Sequence, residues 1–346
     1  MTLDEMAQTA RLLVGDGRGL LAIDESTPTC NARFAKVGIA QSELLRCRYR
    51  DMLISTPGLA ASVSGVILYD ETIRQHGPDG TPLVKLVSHA GMIPGIKVDT
   101  GAKDLAGAKG EKVTEGLDGL RVRLAAYVAM GARFAKWRAV IALGDGLPSR
   151  ACLQANAHAL ARYAALCQEA GLVPVVESEV LMQGDHTREA CAAATEASLG
   201  VLFEQLAVQR VTLEAMILKP NMVAAGLNSP DANDVPAVAA GTLVALRRVV
   251  PAAVAGIAFL SGGQAGPLAS ARLNQMNILA QRPGAGVPWP LAFSFARALQ
   301  MPALQIWAGD DANREPAQSA LRDRAACNAA AMRGSYSAAM ERAGGG

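Results

Sequence analysis

A single (β/α)8 barrel of the α/β class is the fold this sequence predicts, and three observations predict it. Eight short apolar runs recur along the chain, most bounded by Gly or Pro and ending in a polar residue. Alanine-rich segments with helical spacing lie between several of them. Polar residues near the ends of the runs return at about the length of one βα unit. A barrel of this kind runs from about 200 to over 400 residues as one domain, so 346 residues do not require two.

The runs are GLLAID (19–24), SGVILYD (64–70), MIPGIKVD (92–99), ARFAKWRAVI (132–141), LVPVVESEV (172–180), EAMILKP (214–220), AGIAFLSGG (255–263) and LAFSFARAL (291–299). Cores of four to eight apolar residues suit parallel strands covered on both faces. Between the fourth and sixth runs two helices are expected. In 149–171, Leu153, Ala157, Leu160, Ala164 and Cys167 form one stripe, with Ser149 placed to cap the start and Gly171 to end it. In 187–210, Leu199, Leu202, Phe203 and Leu206 follow the same spacing. No composition shift or linker divides the chain, so residues 1–346 read as one barrel domain. Residues 311–346 read as a C-terminal helix followed by a glycine-rich mobile end, AGGG.

The strand-end pattern carries function. Lys97, Lys136, Glu177, Lys219, Ser261 and Arg297 are separated by 39, 41, 42, 42 and 36 positions, and Asp24 lies 73 before Lys97, about two units. Strands of a parallel barrel all point one way, so these residues converge at one face. That C-terminal face is where such barrels place their active sites.

Composition excludes several classes. Apolar residues make up 51% and charged residues 18%, which describes a globular chain. Net charge is +2 on 33 basic and 31 acidic residues without a basic block, which argues against nucleic-acid or membrane-surface partners. The N-terminus lacks the apolar core of a signal peptide, and no uninterrupted apolar stretch approaches the ~20 residues of a membrane span. Six scattered cysteines form no CxxC motif, which fits a reduced, cytoplasmic setting. Four histidines (His76, His89, His158 and His186) have no zinc-site spacing, so neither a metal nor another cofactor is expected.

Residues two apart on a strand share a face, so Lys136 and Arg138 point together, as do Glu177 and Glu179. With Lys219 on the next strand, cations and carboxylates meet in one cluster and offset each other's burial. The bland alternative is a salt-bridged barrel top without chemistry, and for Lys219 alone a snorkelling lysine at a strand edge. Three strand-end lysines, three carboxylates and a glycine-rich loop together are hard to explain as packing. Lys219 is the nucleophile candidate. A free lysine is only about 0.1% amine at neutral pH. Desolvation and a neighbouring cation such as Lys136 would lower its pKa and let it form a Schiff base with a carbonyl. Pro220 biases Lys219 toward extended backbone. Glu177 or Glu179 can shuttle the proton that expels water, and Asp24 can take a hydroxyl proton during carbon–carbon cleavage. Ser261, Gly262 and Gly263 in FLSGGQAG can turn backbone N–H groups toward an anion, and Arg297, expected to end the next strand, adds charge. GDGRG (15–19) precedes its strand and reads as a turn rather than a dinucleotide loop.

LAIDEST (21–27), GVILYDET (65–72), GIKVD (95–99), GLDGL (116–120), FAKWR (134–138), LARYA (160–164), LKPNM (218–222), VALRR (244–248), FLSGGQ (259–264) and ARALQ (296–300) together resemble class I fructose-1,6-bisphosphate aldolase. The likeness runs in order from about residue 10 to about 335. It implies a homotetrameric, metal-independent barrel enzyme of glycolysis and gluconeogenesis. That enzyme splits fructose 1,6-bisphosphate into dihydroxyacetone phosphate and glyceraldehyde 3-phosphate. By resemblance, Lys219 is the Schiff-base lysine, Glu177 the general acid/base and Asp24 the base at the C4 hydroxyl. Lys136 matches the lysine beside the reacting centre, and Glu179 supports it. Ser261, Gly262, Gly263, Ser294 and Arg297 match one phosphate site. Ser26, Thr29, Arg33, Lys97 and Arg138 fall where the sugar and second phosphate are contacted.

Three positions depart from the family. Ser178 stands where many members have proline, and Ala296 where a glycine is usual before the phosphate-binding arginine. Animal members end in a tyrosine that assists proton transfer, whereas here the last tyrosine is Tyr336. Related Schiff-base barrels, such as transaldolase or deoxyribose-phosphate aldolase, are the nearest rival in chemistry, and two phosphate subsites favour a bisphosphate over their monophosphates. A non-catalytic barrel scaffold would require loss of groups that are all present, and a pyridoxal-phosphate lysine is a weaker option.

Overall fold

The structure, a computed structural model, describes residues 1–343. Among these residues ten strands occur: β1 (Gly19–Ala22), β2 (Val63–Leu68), β3 (Ile93–Lys97), β4 (Gly101–Asp104), β5 (Lys112–Glu115), β6 (Phe134–Ile141), β7 (Val173–Val180), β8 (Ile217–Pro220), β9 (Ile257–Phe259) and β10 (Leu291–Phe295). Eight of them close into a parallel barrel in the order β1-β2-β3-β6-β7-β8-β9-β10 and back to β1. Each holds one of the eight expected runs, so the (β/α)8 expectation stands. β4 and β5 form a separate antiparallel pair, Gly101↔Glu115 to Asp104↔Lys112, which no apolar pattern announced.

Both expected helices form, at Arg150–Glu169 and Arg188–Val208. Ser149 accepts a hydrogen bond from the Cys152 N–H, and the stripe Leu153, Ala157, Leu160, Ala164 and Cys167 is buried against β6 and β7. Arg188–Val208 is long and apolar enough to cross a membrane by length and composition. Leu199, Leu202 and Leu206 are buried in the core, which accounts for that apolarity. Near the C-terminus the helix Arg314–Met332 matches the expectation, and a short helix covers Met340–Ala343. The mobile end expected at AGGG lies, apart from Ala343, outside the described residues.

The two ends of the barrel are built differently. The helix Leu3–Val14, started by a capping box between Thr2 and Glu5, lies across the N-terminal end. Its Leu13 leaves no room for a side chain at Gly65, where a Cβ would sit 2.7 Å from Leu13 Cδ2. Further in, the Phe134 ring occupies the space over Gly95, where a Cβ would fall 2.3 Å from ring carbons. That end is apolar and filled. Charge is left to the other end.

One placement differs from expectation. Arg297 does not end a strand: β10 stops at Phe295, and Arg297 opens the helix Arg297–Trp307. The backbone turns at Ala296, with φ −103° and ψ −93°, which leaves the extended region. Because φ there is negative, the position does not require the left-handed conformation that favours glycine, the residue usual there in the resembled family.

Candidate active site

Strand geometry builds the centre of the site. On β6, Lys136 and Arg138 face inward while Trp137 packs outward against Tyr163, ring centroids 5.5 Å apart. On β7, Glu177 and Glu179 point inward and Ser178 outward, where its hydroxyl meets Ser198 of the neighbouring helix at 2.8 Å. A hydrogen bond to a helix thus occupies the position at which proline is common. The register pairs Arg138 with Glu177 and Glu177 with Lys219. After Lys219, Pro220 has no N–H for a ladder, and Asn221 turns its amide to the sheet: Oδ1 accepts the Val180 N–H at 3.0 Å, and Nδ2 donates to Thr195 Oγ1 at 3.1 Å. LKPN therefore ends the strand with Lys219 held inside.

The result is a buried ionic cluster. Lys136 Nζ lies 2.7 Å from Asp24 Oδ2 and 2.9 Å from Glu177 Oε2, and Lys219 Nζ lies 3.3 Å from Glu177 Oε1. Lys219 is 3% exposed. The two lysines are driven in opposite directions. Burial lowers the Lys219 pKa and the Lys136 charge lowers it further, outweighing the pull of Glu177. Lys136 is as buried, but Asp24 and Glu177 overcome that and hold it above the ordinary lysine value. Asp24 and Glu177 suffer the same burial, yet the cations facing them, Lys136 before all, keep both below the usual carboxylate range. Glu179 is drawn aside by an ion pair with Arg138, so Glu177 is the carboxylate within reach of Lys219.

Around this cluster opens a cavity of about 1020 Å³ lined by all fifteen residues singled out in the sequence. Its far wall is loop-built. Gly262 and Gly263 adopt φ +56° and +94°, and the turn closes with the Gln264 N–H on Ser261 O at 2.9 Å. A Cβ at Gly263 would approach Arg297 Nη2 to 3.0 Å, so the arginine lies against the loop. Arg297 has no carboxylate within 4.0 Å among the described residues, and the buried Ser294 hydroxyl has no hydrogen-bond partner there. On the opposite wall, Ser26 and Thr29 hydroxyls lie 3.0 Å apart, Arg33 pairs with Glu25, and Lys97 Nζ sits 2.7 Å from Asp99.

Two residues were missed. Asp99 binds Lys97 and accepts the Arg138 N–H at 3.2 Å, tying β3 to β6; its place at the end of MIPGIKVD was the available signal. Glu25, beside Asp24, orients Arg33 and accepts from Gln300 at 2.8 Å. Tyr336 stays outside the cavity wall, its hydroxyl donating to Glu341 Oε1 at 2.8 Å.

Fold and site together define a (β/α)8-barrel enzyme built around a buried lysine between carboxylates. The family model for fructose-bisphosphate aldolase class-I matches residues 5–345. A probable fructose-bisphosphate aldolase class 1 of Xanthomonas campestris pv. campestris is 51% identical over 337 residues, covering 97% of this chain and 99% of the relative. Cytosolic fructose-bisphosphate aldolase 5 of Arabidopsis thaliana is 48% identical, covering 96% and 92%. The solved structure of Plasmodium falciparum fructose-bisphosphate aldolase, in complex with TRAP and an inhibitor, superposes with a TM-score of 0.93 at 42% identity, covering 97% and 96%. The chain belongs to the class I fructose-bisphosphate aldolase family.

Proposed function

We propose that Lys219 carries in this chain the reaction of its family, the reversible cleavage of fructose 1,6-bisphosphate to dihydroxyacetone phosphate and glyceraldehyde 3-phosphate. The observation that carries the assignment is the buried Lys219 amine, depressed in pKa and 3.3 Å from an ionised Glu177.

Neutral Lys219 attacks the substrate ketone, and the carbonyl oxygen becomes a hydroxyl. The proton for that hydroxyl comes from the new C–N nitrogen through Glu177, which starts as a carboxylate; a second proton, taken up from solvent water, passes through Glu177 to the hydroxyl, which leaves as water. The resulting iminium is the electron sink. Asp24, held ionised by Lys136, accepts the C4 hydroxyl proton; the C3–C4 bond breaks, its electron pair enters the iminium, and glyceraldehyde 3-phosphate departs. Protonation of the enamine carbon and hydrolysis release dihydroxyacetone phosphate and restore Lys219. Lys136 keeps its proton throughout and counters the charge of both carboxylates, with Glu179 holding Arg138 beside it.

The substrate's two phosphates are assigned to opposite walls. Ser261, Gly262, Gly263, Ser294 and Arg297 take one; Ser26, Thr29, Arg33, Lys97 and Arg138 take the sugar hydroxyls and the other. Supporting this is the free Arg297 guanidinium on one side and the cluster of cations on the other. Residues 1–346 acting as one barrel domain, supported by the match over 5–345, belong to the same proposal. So does a cytoplasmic location, supported by the cytosolic name of the Arabidopsis relative and six free thiols. Assembly as a homotetramer rests on the family resemblance, and exposed Val122 and Val128 supply apolar surface. Sedimentation as a monomer at micromolar concentration would refute it.

Reductive trapping tests the central assignment. Borohydride with dihydroxyacetone phosphate is expected to fix an adduct on the peptide holding Lys219, and Lys219→Ala is expected to show neither adduct nor measurable cleavage. An adduct on another lysine, or undiminished turnover by Lys219→Ala, overturns it.

A further inference from the structure

Four arginines are buried among the described residues, and one differs from the rest. Arg46 and Arg50 both reach Glu71, at 2.6 and 2.9 Å, and Arg324 pairs with Glu341. Arg272 is fully buried, yet among the described residues no carboxylate lies within 4.0 Å of it. The acid that faces it, Asp234, is occupied in capping the helix Val235–Val249 through the Ala237 N–H. An unpaired buried cation is expensive to hold, and one partner removed from such a pair typically costs several kcal/mol. A packing role is served equally well by a neutral side chain, so the charge calls for a counterpart.

The hydrogen bonds of Arg272 show where that counterpart belongs. Nη1 donates to Gln264 Oε1 at 2.7 Å, Nη2 donates to the Ala232 carbonyl, and Nε has no partner. Gln264 closes the Ser261–Gly263 turn and lines the cavity. Because its amide oxygen is taken by Arg272, its Nε2 is turned toward Met222 and Met182 Sδ, at 3.6 and 3.9 Å. Met222 follows Lys219 by three residues, and Met182 packs under Gly262. Arg272 therefore sits behind the anion loop, one side chain removed from it, and outside the cavity wall. Burial pushes its guanidinium down to about 10, which leaves it charged at neutral pH.

We infer that Arg272 is a positioning residue whose uncompensated buried charge draws a phosphate into the Ser261–Gly263 loop, while its two arms fix the loop through Gln264 and Ala232. A phosphate bound in front supplies the close negative charge that Asp234, beyond ion-pair distance, does not. The loop can then present N–H groups alone to the anion, with the positive charge kept behind them. A carboxylate paired with Arg272 would cancel this field, and among the described residues none lies within 4.0 Å. The inference rests on the reading of that loop as a phosphate subsite.

The test uses the full chain with inorganic phosphate as the probe, by calorimetry, alongside steady-state cleavage of fructose 1,6-bisphosphate. Arg272→Met is expected to weaken phosphate binding about ten-fold, the order of effect of removing one charge that stands one side chain behind a site in a partly dry interior. It should raise KM by a similar factor and leave kcat within about two-fold. Arg272→Lys, which keeps the charge and loses the fork, should recover most of the affinity. If Arg272→Met does not fold, Arg272→Gln keeps a hydrogen bond to Gln264 without charge and carries the same expectations. Phosphate affinity unchanged in a folded neutral variant overturns the inference. So does a lysine variant as weak as the methionine one, because geometry without charge would then explain the loss. Wild-type protein that binds no phosphate, or that fails to trap at Lys219, sinks the parent reading instead.

Discussion

The wall formed by β6, β7 and β8 and the wall formed by β9, β10 and their loops face each other across one cavity, but they hold their working groups differently. On the first, Lys136, Glu177 and Lys219 stand on strands, are almost fully buried, and satisfy one another's charge before any ligand arrives. On the second, the strands are only three and five residues long, and all the groups but Ser294, which stands on β10, sit beyond them on a glycine loop and a helix start. Arg297 is exposed there and has no acidic partner among the described residues, and the Ser294 hydroxyl is unpaired. Covalent chemistry needs protonation states set in advance, which burial and pairing achieve. Anion capture needs donors left free and reachable. The two walls divide those requirements between them.

The sharpest break of that comparison lies within the first wall, between its two lysines. Lys136 has a folded pKa above its ordinary value, so its charge stabilises the fold at all pH below about 10.5, and this is lost as pH rises through the folded value. Lys219 has a folded pKa below the ordinary one. Its burial therefore weakens the fold at neutral pH, and that penalty fades as pH climbs from its folded value to about 10.5. At pH 7, Lys136→Met is expected to lose about 3–5 kcal/mol in urea unfolding, because two buried carboxylates are left without their shared cation. Lys219→Met is expected to melt no lower than wild type, since Glu177 retains Lys136. Equal destabilisation by both would mean that Lys219 is held as a paired ammonium, and the division of labour would fail at its centre.

The same contrast decides how much was legible in the sequence. Wherever a side chain's direction is set by strand alternation, reading every second residue suffices: Lys136 with Arg138, and Glu177 with Glu179, face the cavity as their spacing requires. Where direction is set by a loop, spacing fails. Arg297 was expected on a strand because ARAL continues an apolar run, but the turn at Ala296 moves it to a helix start. Residues at the sugar-facing wall, such as Arg33 and Thr29, were identified only through family likeness, since nothing in their periodicity marks them. The β4–β5 pair escaped because GAKD and KVTE are mostly exposed or half-buried and so carry no apolar alternation. Arg272 lies inside a helix of ordinary composition, where its register with the buried face becomes evident only once the loop in front of it is built.

A smaller effect sharpens the second wall. Gly263 adopts φ +94°, a conformation that a residue with a Cβ occupies only with strain of about 1–3 kcal/mol. An added methyl would also press to 3.0 Å on Arg297 Nη2. Gly263→Ala is therefore expected to tilt the loop N–H groups and push the guanidinium aside, raising KM for fructose 1,6-bisphosphate about ten-fold, equivalent to about 1.4 kcal/mol. Because Lys219 and Glu177 belong to the opposite strands, kcat should stay within a few-fold and borohydride trapping at saturating dihydroxyacetone phosphate should remain complete. Steady-state kinetics separates the outcomes. A fall in kcat at unchanged KM would show that the loop acts on the reacting carbon, and the walls could no longer be assigned one to capture and the other to chemistry.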